Sequence, residues 1–307
     1  MQKRNLMAVT LSCLSCGVFG QNSIDLLTVA GFMGFPSAYE APLNGKATET
    51  NLFVNAKAPI VLNDKTIWFN DLTYSGFTIT TNLNPEPTGY LTSMRVHAFI
   101  LQTGISRKLN EKNGYQLLFV PRYNADFNGS DPKNWQFGGI ALYEHRYHDN
   151  LMMRFGAMFN QELFGPLLVP LAYIDWRMND RWSMVGLFPI HLKVNYAVNE
   201  NLTVGFSHFG FITTYRIRQR EFKTDYIERN SIDEALFARW RIAGNIHLET
   251  RLGYSLARVY EQYAEGEQMD LRLSIIRFGD DRVKKNVAFA SGPMASVRLV
   301  YNLPLTD

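Results

Sequence analysis

The sequence predicts an all-β protein, an antiparallel transmembrane β-barrel of about 14 strands, with about 12 as the alternative. Three observations predict this fold. Apolar and polar residues alternate with a period of two, short polar turns mostly alternate with longer connections, and an apolar export segment begins the chain. With 46% hydrophobic and 19% charged residues, the composition excludes a disordered chain. No run of about 18 apolar residues exists, which excludes a bundle of membrane-spanning helices.

Residues 1–20 have the organisation of a secretory signal peptide. Lys3 and Arg4 precede an uncharged stretch of apolar and small residues over 6–19. Small or apolar residues also occupy the positions that a signal peptidase recognises before a cut at Gln21. We therefore expect a signal peptide over residues 1–20. The alternative is a buried N-terminal strand or helix.

The remaining chain, residues 21–307, is expected to form one barrel domain in the outer membrane of a Gram-negative bacterium. Cys13 and Cys16 would leave with the signal peptide, and the residues before them match a lipoprotein cleavage site poorly. The remaining chain is nearly neutral, which argues against electrostatic binding of nucleic acid. The expected partners are outer-membrane lipid, the barrel-insertion machinery and a small solute of unknown identity. No cofactor is expected.

Alternation is clearest over residues 247–260. Successive side chains of a strand point to opposite faces, so one face here is apolar and the other is polar. The apolar parity holds Leu248, Leu252, Tyr254 and Leu256, and the polar parity holds His247, Glu249, Arg251 and Ser255. The same alternation recurs over 151–160, 191–198 and 294–303. It predicts strands near 25–35, 48–62, 66–80, 91–107, 115–127, 136–148, 151–162, 166–178, 182–189, 190–198, 201–217, 232–243, 247–263 and 293–304.

Turn residues separate these strands. Asn, Asp and Gly tolerate the positive φ of tight hairpins, and they occupy short connections at 63–65, 110–114, 148–150, 179–181, 199–201 and 243–245. Longer connections are predicted at 81–90, 128–134, 161–165 and 218–231. Outer-membrane barrels combine short periplasmic turns with longer outer loops, whereas a soluble sandwich has no reason to alternate them.

Residues 269–277 have strand-like composition, yet a strand there would break the even strand number that such barrels require. We therefore assign this stretch to a long outer connection over 264–292. The 12-strand alternative places residues 25–35 outside the barrel wall.

The polar parity collects charged side chains that a barrel would direct into its lumen. Unpaired charges are costly in a narrow interior, so we expect them to pair with acids such as Glu144 or to line water. The predicted lumen-lining residues are Arg95, Arg122, Arg154, Asp175, Arg177, His191, Lys193, Arg239, Arg241, Glu249, Arg251 and Arg298.

The tryptophans lie near the predicted strand ends. Indole combines an apolar body with one polar N–H, which suits the membrane–water interface, although core packing would also bury it. The predicted interfacial girdle comprises Trp68, Trp135, Trp176, Trp182 and Trp240.

The sequence offers little sign of enzymatic chemistry, and we expect no enzyme. Ser207 and His208 lie within Gly205–Gly210, but a nucleophile elbow needs glycine two residues after serine. Adjacent strand residues also point to opposite faces, so this pair cannot act together. The six histidines lack metal-ligand spacing, and loop 126–131 lacks the acids of a calcium loop. Neither catalytic residues nor a metal site is expected.

Several short motifs resemble a family of exported outer-membrane β-barrels known only as a domain of unknown function. The motifs are Leu72–Tyr74, Tyr173–Trp176, Asp180–Trp182, Pro189, Asn195–Tyr196, Gly253–Tyr254, Arg258 and Tyr260–Glu261. The resemblance covers most of the exported chain. It implies an outer-membrane barrel, but no substrate and no catalytic residues. The last strand departs from the usual barrel signal, because no terminal phenylalanine ends it.

These observations favour a pore or passive small-solute transporter with a polar, arginine-rich lumen. One alternative is a closed barrel with a structural or adhesive role, whose inward charges are fully paired and whose segment 264–292 folds inward. A third, less favoured hypothesis is a barrel enzyme that acts on lipid, which would need a Ser–His pair on its outer wall.

Overall fold

The computed structural model describes residues 23–219, 222 and 224–304, so the predicted signal peptide over 1–20 lies outside the described residues. A 3₁₀ turn covers Pro132–Asn134. The strands are β1 (Ser23–Ala38), β2 (Lys46–Lys57), β3 (Ile60–Asn63), β4 (Thr66–Thr81), β5 (Met94–Lys108), β6 (Asn113–Ala125), β7 (Trp135–His148), β8 (Leu151–Glu162), β9 (Gly165–Arg177), β10 (Trp182–Phe188), β11 (His191–Asn199), β12 (Leu202–Arg216), β13 (Tyr226–Ala243), β14 (Ile246–Tyr263), β15 (Leu271–Leu273), β16 (Ile276–Phe278) and β17 (Gly292–Pro304).

Fourteen of these strands form one closed antiparallel barrel, which confirms the predicted fold class and strand number. Each wall strand pairs with the next along the chain, and β17 closes the ring by pairing with both β14 and β1. The short strand β3 continues the line of β2 along β4. Closure pairs each wall strand with both of its neighbours, although β10 and β11 are too short to cover the loop-end halves of β9 and β12. Among the described residues, no helix is long and apolar enough to cross a membrane.

The two ends of the barrel differ in their connections. At one end, called the turn end, residues such as Asp149–Asn150 and Gly244–Asn245 join neighbouring strands through tight turns. The opposite end, called the loop end, carries longer connections over 82–93, 126–134, 217–225 and 264–291. Alternation along each wall strand then assigns one parity to the lumen and the other to the outer surface.

Two predicted boundaries were wrong. The connection between β8 and β9 is only Leu163–Phe164, not a longer loop over 161–165, because Glu162 and Gly165 still pair with each other. Strand β13 begins at Tyr226 rather than at residue 232. Residues 228–231 are polar on both parities, and buried polar contacts on both faces hold them in the strand.

Residues 264–291, called the strap, form the connection between β14 and β17. The strap contains the hairpin β15–β16, which pairs in parallel with Leu167 and Leu168 of β9. The hairpin therefore attaches to the edge of β9 without becoming one of the fourteen strands of the ring. The ring keeps an even number of strands. The wall next to it is short, because β10 and β11 form a hairpin that ends at Pro189 and Ile190.

Candidate functional site

The lumen encloses a cavity of about 1740 Å³ lined by inward-facing side chains from most of the wall strands. At the turn end the cavity reaches residues of the connecting turns, among them Asn179, Asp180, Glu200 and Asn201. The cavity is therefore continuous with the turn-end mouth of the barrel. Its lining divides into a charged zone near that mouth and an apolar zone above it.

Glu249 of β14 is the centre of the charged zone. Its carboxylate accepts hydrogen bonds from Lys193 at 2.7 Å and from Arg298 at 3.0 Å, and its side chain has no exposed surface. Arg251 lies 2.7 Å from the same carboxylate, and Arg239 lies 3.9 Å from it and pairs with Asp25 at 2.7 Å. Two carboxylates thus serve four cations, so this zone keeps a positive excess facing the cavity.

A second charged group lies on the β7–β9 side of the lumen. Arg154 donates to Glu144 at 2.8 Å, and its guanidinium stacks over the ring of Tyr173 at 4.9 Å. Asp175 lies on the same inward face, opposite Met152 of β8. Pairing Arg154 with both an acid and a ring stabilises a buried charge that would otherwise be costly.

Above the charges, the lumen is apolar along β4–β9 and β12. The inward residues of this zone, called the apolar belt, are Phe77, Ile100, Leu118, Val120, Ile140, Leu142, Met158, Leu167, Val169, Leu171 and Phe211. The sequence predicted a polar, arginine-rich lumen, and the apolar belt departs from that prediction. Both parities of these strands are apolar, as in β5, where Ile100 faces inward and Phe99 faces outward. A strand that is apolar on both parities is the sequence feature that could have predicted the apolar belt.

The loop end is closed by packed side chains. Arg229 of β13 spans the lumen to Glu49 of β2, with 2.7 Å between Nη2 and Oε1, and stacks 3.9 Å over Phe77. Tyr260 donates to the same Glu49 oxygen at 2.9 Å. Closer to the loop-end rim, the side-chain amide of Asn124 donates to the Thr213 hydroxyl at 3.0 Å. The cavity consequently does not run straight through the barrel.

Ion pairs also bind the outer loops together. Arg216 and Arg218 both lie against Asp131, with Arg218 Nη1 at 3.3 Å from Oδ2. The backbone N–H of Lys133, followed by these two cations, lowers the pKa of the Asp131 carboxyl. Asp131 therefore stays charged in the position that holds loop 126–134 to the end of β12.

Eleven of the twelve residues predicted to line the lumen lie on inward positions; ten of them touch the cavity directly, and Glu249 lies behind its cations. Arg95 does not, and its prediction is corrected. It pairs with Thr78 on the outward face, and its neighbours Met94 and Val96 are buried inside. Near the loop-end rim, the outward face of β5 carries polar residues as well as apolar ones. The charge of Arg95 therefore did not show which face it occupies.

The five tryptophans lie on outward positions near the strand ends. Trp68, Trp182 and Trp240 are each 43% exposed at the turn end, and Trp176 is half-buried beside them. Trp135 lies at the loop end and is 51% exposed. The indole N–H of Trp68 donates to Asn70 at 3.0 Å. Four tryptophans thus lie near the turn end and one lies near the loop end, all on the outer face of the barrel.

The histidines show no metal or nucleophile arrangement in the part of the chain that the structure describes. No cluster of three or more metal-binding side chains occurs there. His208 faces outward, where its Nδ1 lies 2.6 Å from Glu234 and its Nε2 lies 2.9 Å from the Pro189 carbonyl oxygen. Both ring nitrogens therefore have a neighbour on the outer wall. Ser207 instead faces inward and donates to the Ala235 carbonyl.

The comparisons with known proteins assign no activity to this chain. The family model of the "Domain of unknown function (DUF6268)" matches residues 62–269, more than half of the chain. No curated protein matches this chain.

Among solved structures, the chain is similar to an outer-membrane channel from Pseudomonas putida F1, with 10% identity, a TM-score of 0.44, and coverage of 94% of this chain and 100% of that one. A mutant of the TodX monoaromatic hydrocarbon channel is 11% identical, with a TM-score of 0.39 and coverage of 90% and 89%. The NanC porin is 10% identical, with a TM-score of 0.34 and coverage of 90% and 98%.

Proposed function

The chain belongs to the family described as "Domain of unknown function (DUF6268)", and we propose that its barrel is a passive channel for small solutes in the outer membrane of a Gram-negative bacterium. The cavity of about 1740 Å³ carries this proposal. Small-molecule pockets usually enclose about 300–1,000 Å³, so the chamber has room for a solute together with water.

The chemistry of the chamber indicates the class of solute. The apolar belt favours molecules with an apolar body, and the positive excess around Lys193 and Arg298 favours a polar or anionic group at the turn end. Small amphipathic or apolar molecules fit both zones. The packed loop end, from Glu49 to Tyr260, supports low ionic conductance rather than the wide aqueous passage of a general porin.

The expected location and processing belong to the same proposal. The turn end would face the periplasm, the girdle tryptophans would lie at the two lipid interfaces, and residues 1–20 would be removed on export. Amino-terminal sequencing of the protein from an outer-membrane fraction tests this, with Gln21 as the expected first residue. Recovery of an uncleaved chain from the soluble fraction would contradict it.

Dye uptake by cells tests the transport function. An intact outer membrane slows entry of the apolar dye N-phenyl-1-naphthylamine, and expression of the protein should accelerate its entry over an empty-vector control. Met158→Glu places a charge in the apolar belt beside Arg122, which already lies 3.6 Å from the Met158 sulfur, and should return uptake towards the control. Gln161→Glu makes the same charge change on the outer face of β8 and should leave uptake unchanged.

A closed structural barrel is the second candidate, because the inward charges around Glu249 and Glu144 are paired and the loop end is packed. It predicts dye uptake equal to the empty-vector control for the wild-type protein and for both variants. A planar-bilayer recording without any conductance would agree with that outcome.

A further inference from the structure

The barrel wall is interrupted beyond the tip of the β10–β11 hairpin. β10 pairs with β9 only along residues 172–177, and β11 follows β12 no further than the Ile190 carbonyl, which accepts from Gly210 N–H at 2.8 Å. Apart from the short strand β15, which pairs with β9 at Leu167 and Leu168, no strand lies between the loop-end halves of β9 and β12. We call this interruption the lateral opening.

The sequence of β9 suits an unpaired edge. The Leu168 carbonyl points into the lateral opening, where it accepts from Ser274 N–H of the strap at 2.9 Å. Because backbone direction alternates along a strand, Pro166 and Pro170 present their nitrogens to the same side. Proline has no N–H to leave unsatisfied, and it is found in sheets almost only at edges. Two of the backbone N–H groups that would otherwise face the opening are therefore absent.

The opening has an upper limit as well as a lower one. Glu162 at the end of β8 accepts from the Thr214 backbone N–H at 2.9 Å and from its hydroxyl at 2.7 Å, which joins the β8–β9 corner to β12. Ile212 lies between this contact and Gly210. The opening is consequently a window within the wall, not a slot that runs to the loop end.

The cavity passes through this window. Its lining includes inward residues such as Val169 and Phe211, and it also includes Ile212, Ile232 and Val259, which lie on the outer faces of β12, β13 and β14. Side chains on opposite faces of one sheet can line a single cavity only where the cavity crosses the sheet. The chamber therefore continues from the lumen to a groove on the outside of the barrel.

The depth of the window places it beside lipid. β10 has 7 residues, which at about 3.3 Å each and a tilt of about 40° rise roughly 18 Å from the turn end. The apolar band of such barrels is about 25 Å tall. The window thus opens within the band, on the side of the loop-end leaflet. Phe188 at its lower edge is 52% exposed and apolar, as this position requires.

The strap covers the window from outside. Ile275 at the tip of β15–β16 lines the cavity and is 71% exposed, and Ile276 and Phe278 also expose apolar surface. On its other face, Arg272 and Arg277 both donate to Glu228 on the outer face of β13. The strap therefore turns an apolar face to the membrane and a basic face to the barrel.

Glu228 anchors the strap. Its side chain is fully buried, and Arg282 adds a third cation at 2.7 Å. Arg282 also binds Asp280 at 2.7 Å, and this hydrogen bond lowers the pKa of the Asp280 carboxyl. The strap meets β9 and the turn before it through main-chain contacts: β15 pairs with Leu167 and Leu168, and Met269 N–H donates to the Phe164 carbonyl at 2.8 Å. Opening of the window would require these main-chain contacts to break while the anchor at Glu228 holds.

We propose that the window is a lateral passage for small apolar molecules between the chamber and the loop-end leaflet of the membrane, with the strap as its cover. The inference rests on the proposed channel function and adds the route: solute exchanges between the turn-end mouth and the lipid, without crossing the packed loop end.

A reversible disulfide tests the passage. Leu273 of the strap is the register partner of Leu168, so L168C/L273C would lock the cover onto β9 when oxidised. The described residues contain no cysteine that could interfere. Leu236 and Leu252 are register partners on the outer face of the uninterrupted β13–β14 wall, and L236C/L252C is the matched control. Dye uptake is measured in cells that express each protein, before and after reduction, and heat-modifiable migration verifies folding.

We expect oxidised L168C/L273C to fall to the empty-vector rate and to recover on reduction, while L236C/L252C matches wild type in both states. If oxidised L168C/L273C, with the disulfide demonstrated, still takes up dye as wild type does, the lateral passage is overturned and the channel function stands. If wild type itself equals the empty vector, the proposed function fails and the passage fails with it.

Discussion

Glu49 and Arg229 form an ion pair that crosses the closed end of the lumen, with 2.7 Å between Oε1 and Nη2 and side-chain exposures of 0% and 2%. The two residues are 180 positions apart in sequence. Tyr260 donates to the same carboxylate oxygen, so one acid connects β2, β13 and β14. This pair, with Phe77 stacked against Arg229, helps to fill the loop end of the lumen.

Glu49→Gln should destabilise the barrel strongly, because it leaves the buried Arg229 without its counter-charge. Removing one partner of a buried ion pair costs about 3–5 kcal/mol. The measurement is the free energy of unfolding in urea, in lipid vesicles. Lys133→Gln breaks the exposed pair with Glu265 and should cost at most about 1 kcal/mol. Equal effects of the two substitutions would contradict the assigned role of Glu49.

Glu249→Gln should increase the preference of the chamber for anions. The substitution removes the carboxylate that Lys193, Arg251 and Arg298 share, and these cations then face the cavity without compensation. The measurement is the rate of uptake of the anionic dye 8-anilino-1-naphthalenesulfonate relative to the neutral N-phenyl-1-naphthylamine, and this ratio should shift towards the anionic dye. Glu234→Gln, on the outer wall, is the control and should cause no shift. A shift towards the neutral dye would argue against this arrangement.

Gly156→Ala should impair the β7–β8 seam. A Cβ at this position would come within 1.8 Å of the Ala141 carbonyl oxygen, and backbone cannot move aside as a flexible side chain can. Overpacking typically costs about 1–3 kcal/mol, which should appear as a lower temperature for heat-modifiable migration. Gly31→Ala is the control, since no atom lies within 4 Å of its added Cβ. A wild-type transition for Gly156→Ala would show that the seam can relax.

Single-tryptophan variants should locate both interfaces. A protein that keeps only Trp240 reports the turn end, and one that keeps only Trp135 reports the loop end. We expect phosphatidylcholine brominated near the headgroup to quench both more strongly than lipid brominated near the chain ends, since indole favours the interface. Stronger quenching by chain-end bromine would place these residues in the apolar band instead.

The alternation along β8 shows how much of the fold was predictable. Phe155 and Phe159 point outward and Arg154 and Asn160 point inward, as the period of two predicts. Alternation needs only the geometry of one strand. Closure is expected because a free strand edge in lipid would leave backbone N–H and C=O groups without partners. The uninterrupted strands were therefore predicted to within a few residues.

The apolar belt and the strap were not predictable in the same way. Ile100 and Phe99 are both apolar, so sequence could not say which of them faces lipid without the barrel around them. Glu228 and Asn230 read as loop residues because a polar outward face in a membrane is unfavourable. The strap, more than forty residues further along the chain, stabilises this polar outward face. Its residues Arg272, Arg277 and Arg282 pair with Glu228, which also accepts a hydrogen bond from Asn230.

The sequence by itself determined the fold class, the strand number and the parity of most strands, because these depend on the period of side-chain direction and on turn residues within a few positions of each other. Only the tertiary structure decided that the lumen is closed at the loop end, that its middle is apolar, and that its wall is interrupted beyond the β10–β11 hairpin, where the strap covers it. Those features depend on pairs such as Glu49 with Arg229, and on where β10 and β11 stop relative to β9 and β12. Such relationships exist only after the ring has closed, since closure is what brings distant residues to the same height in the wall.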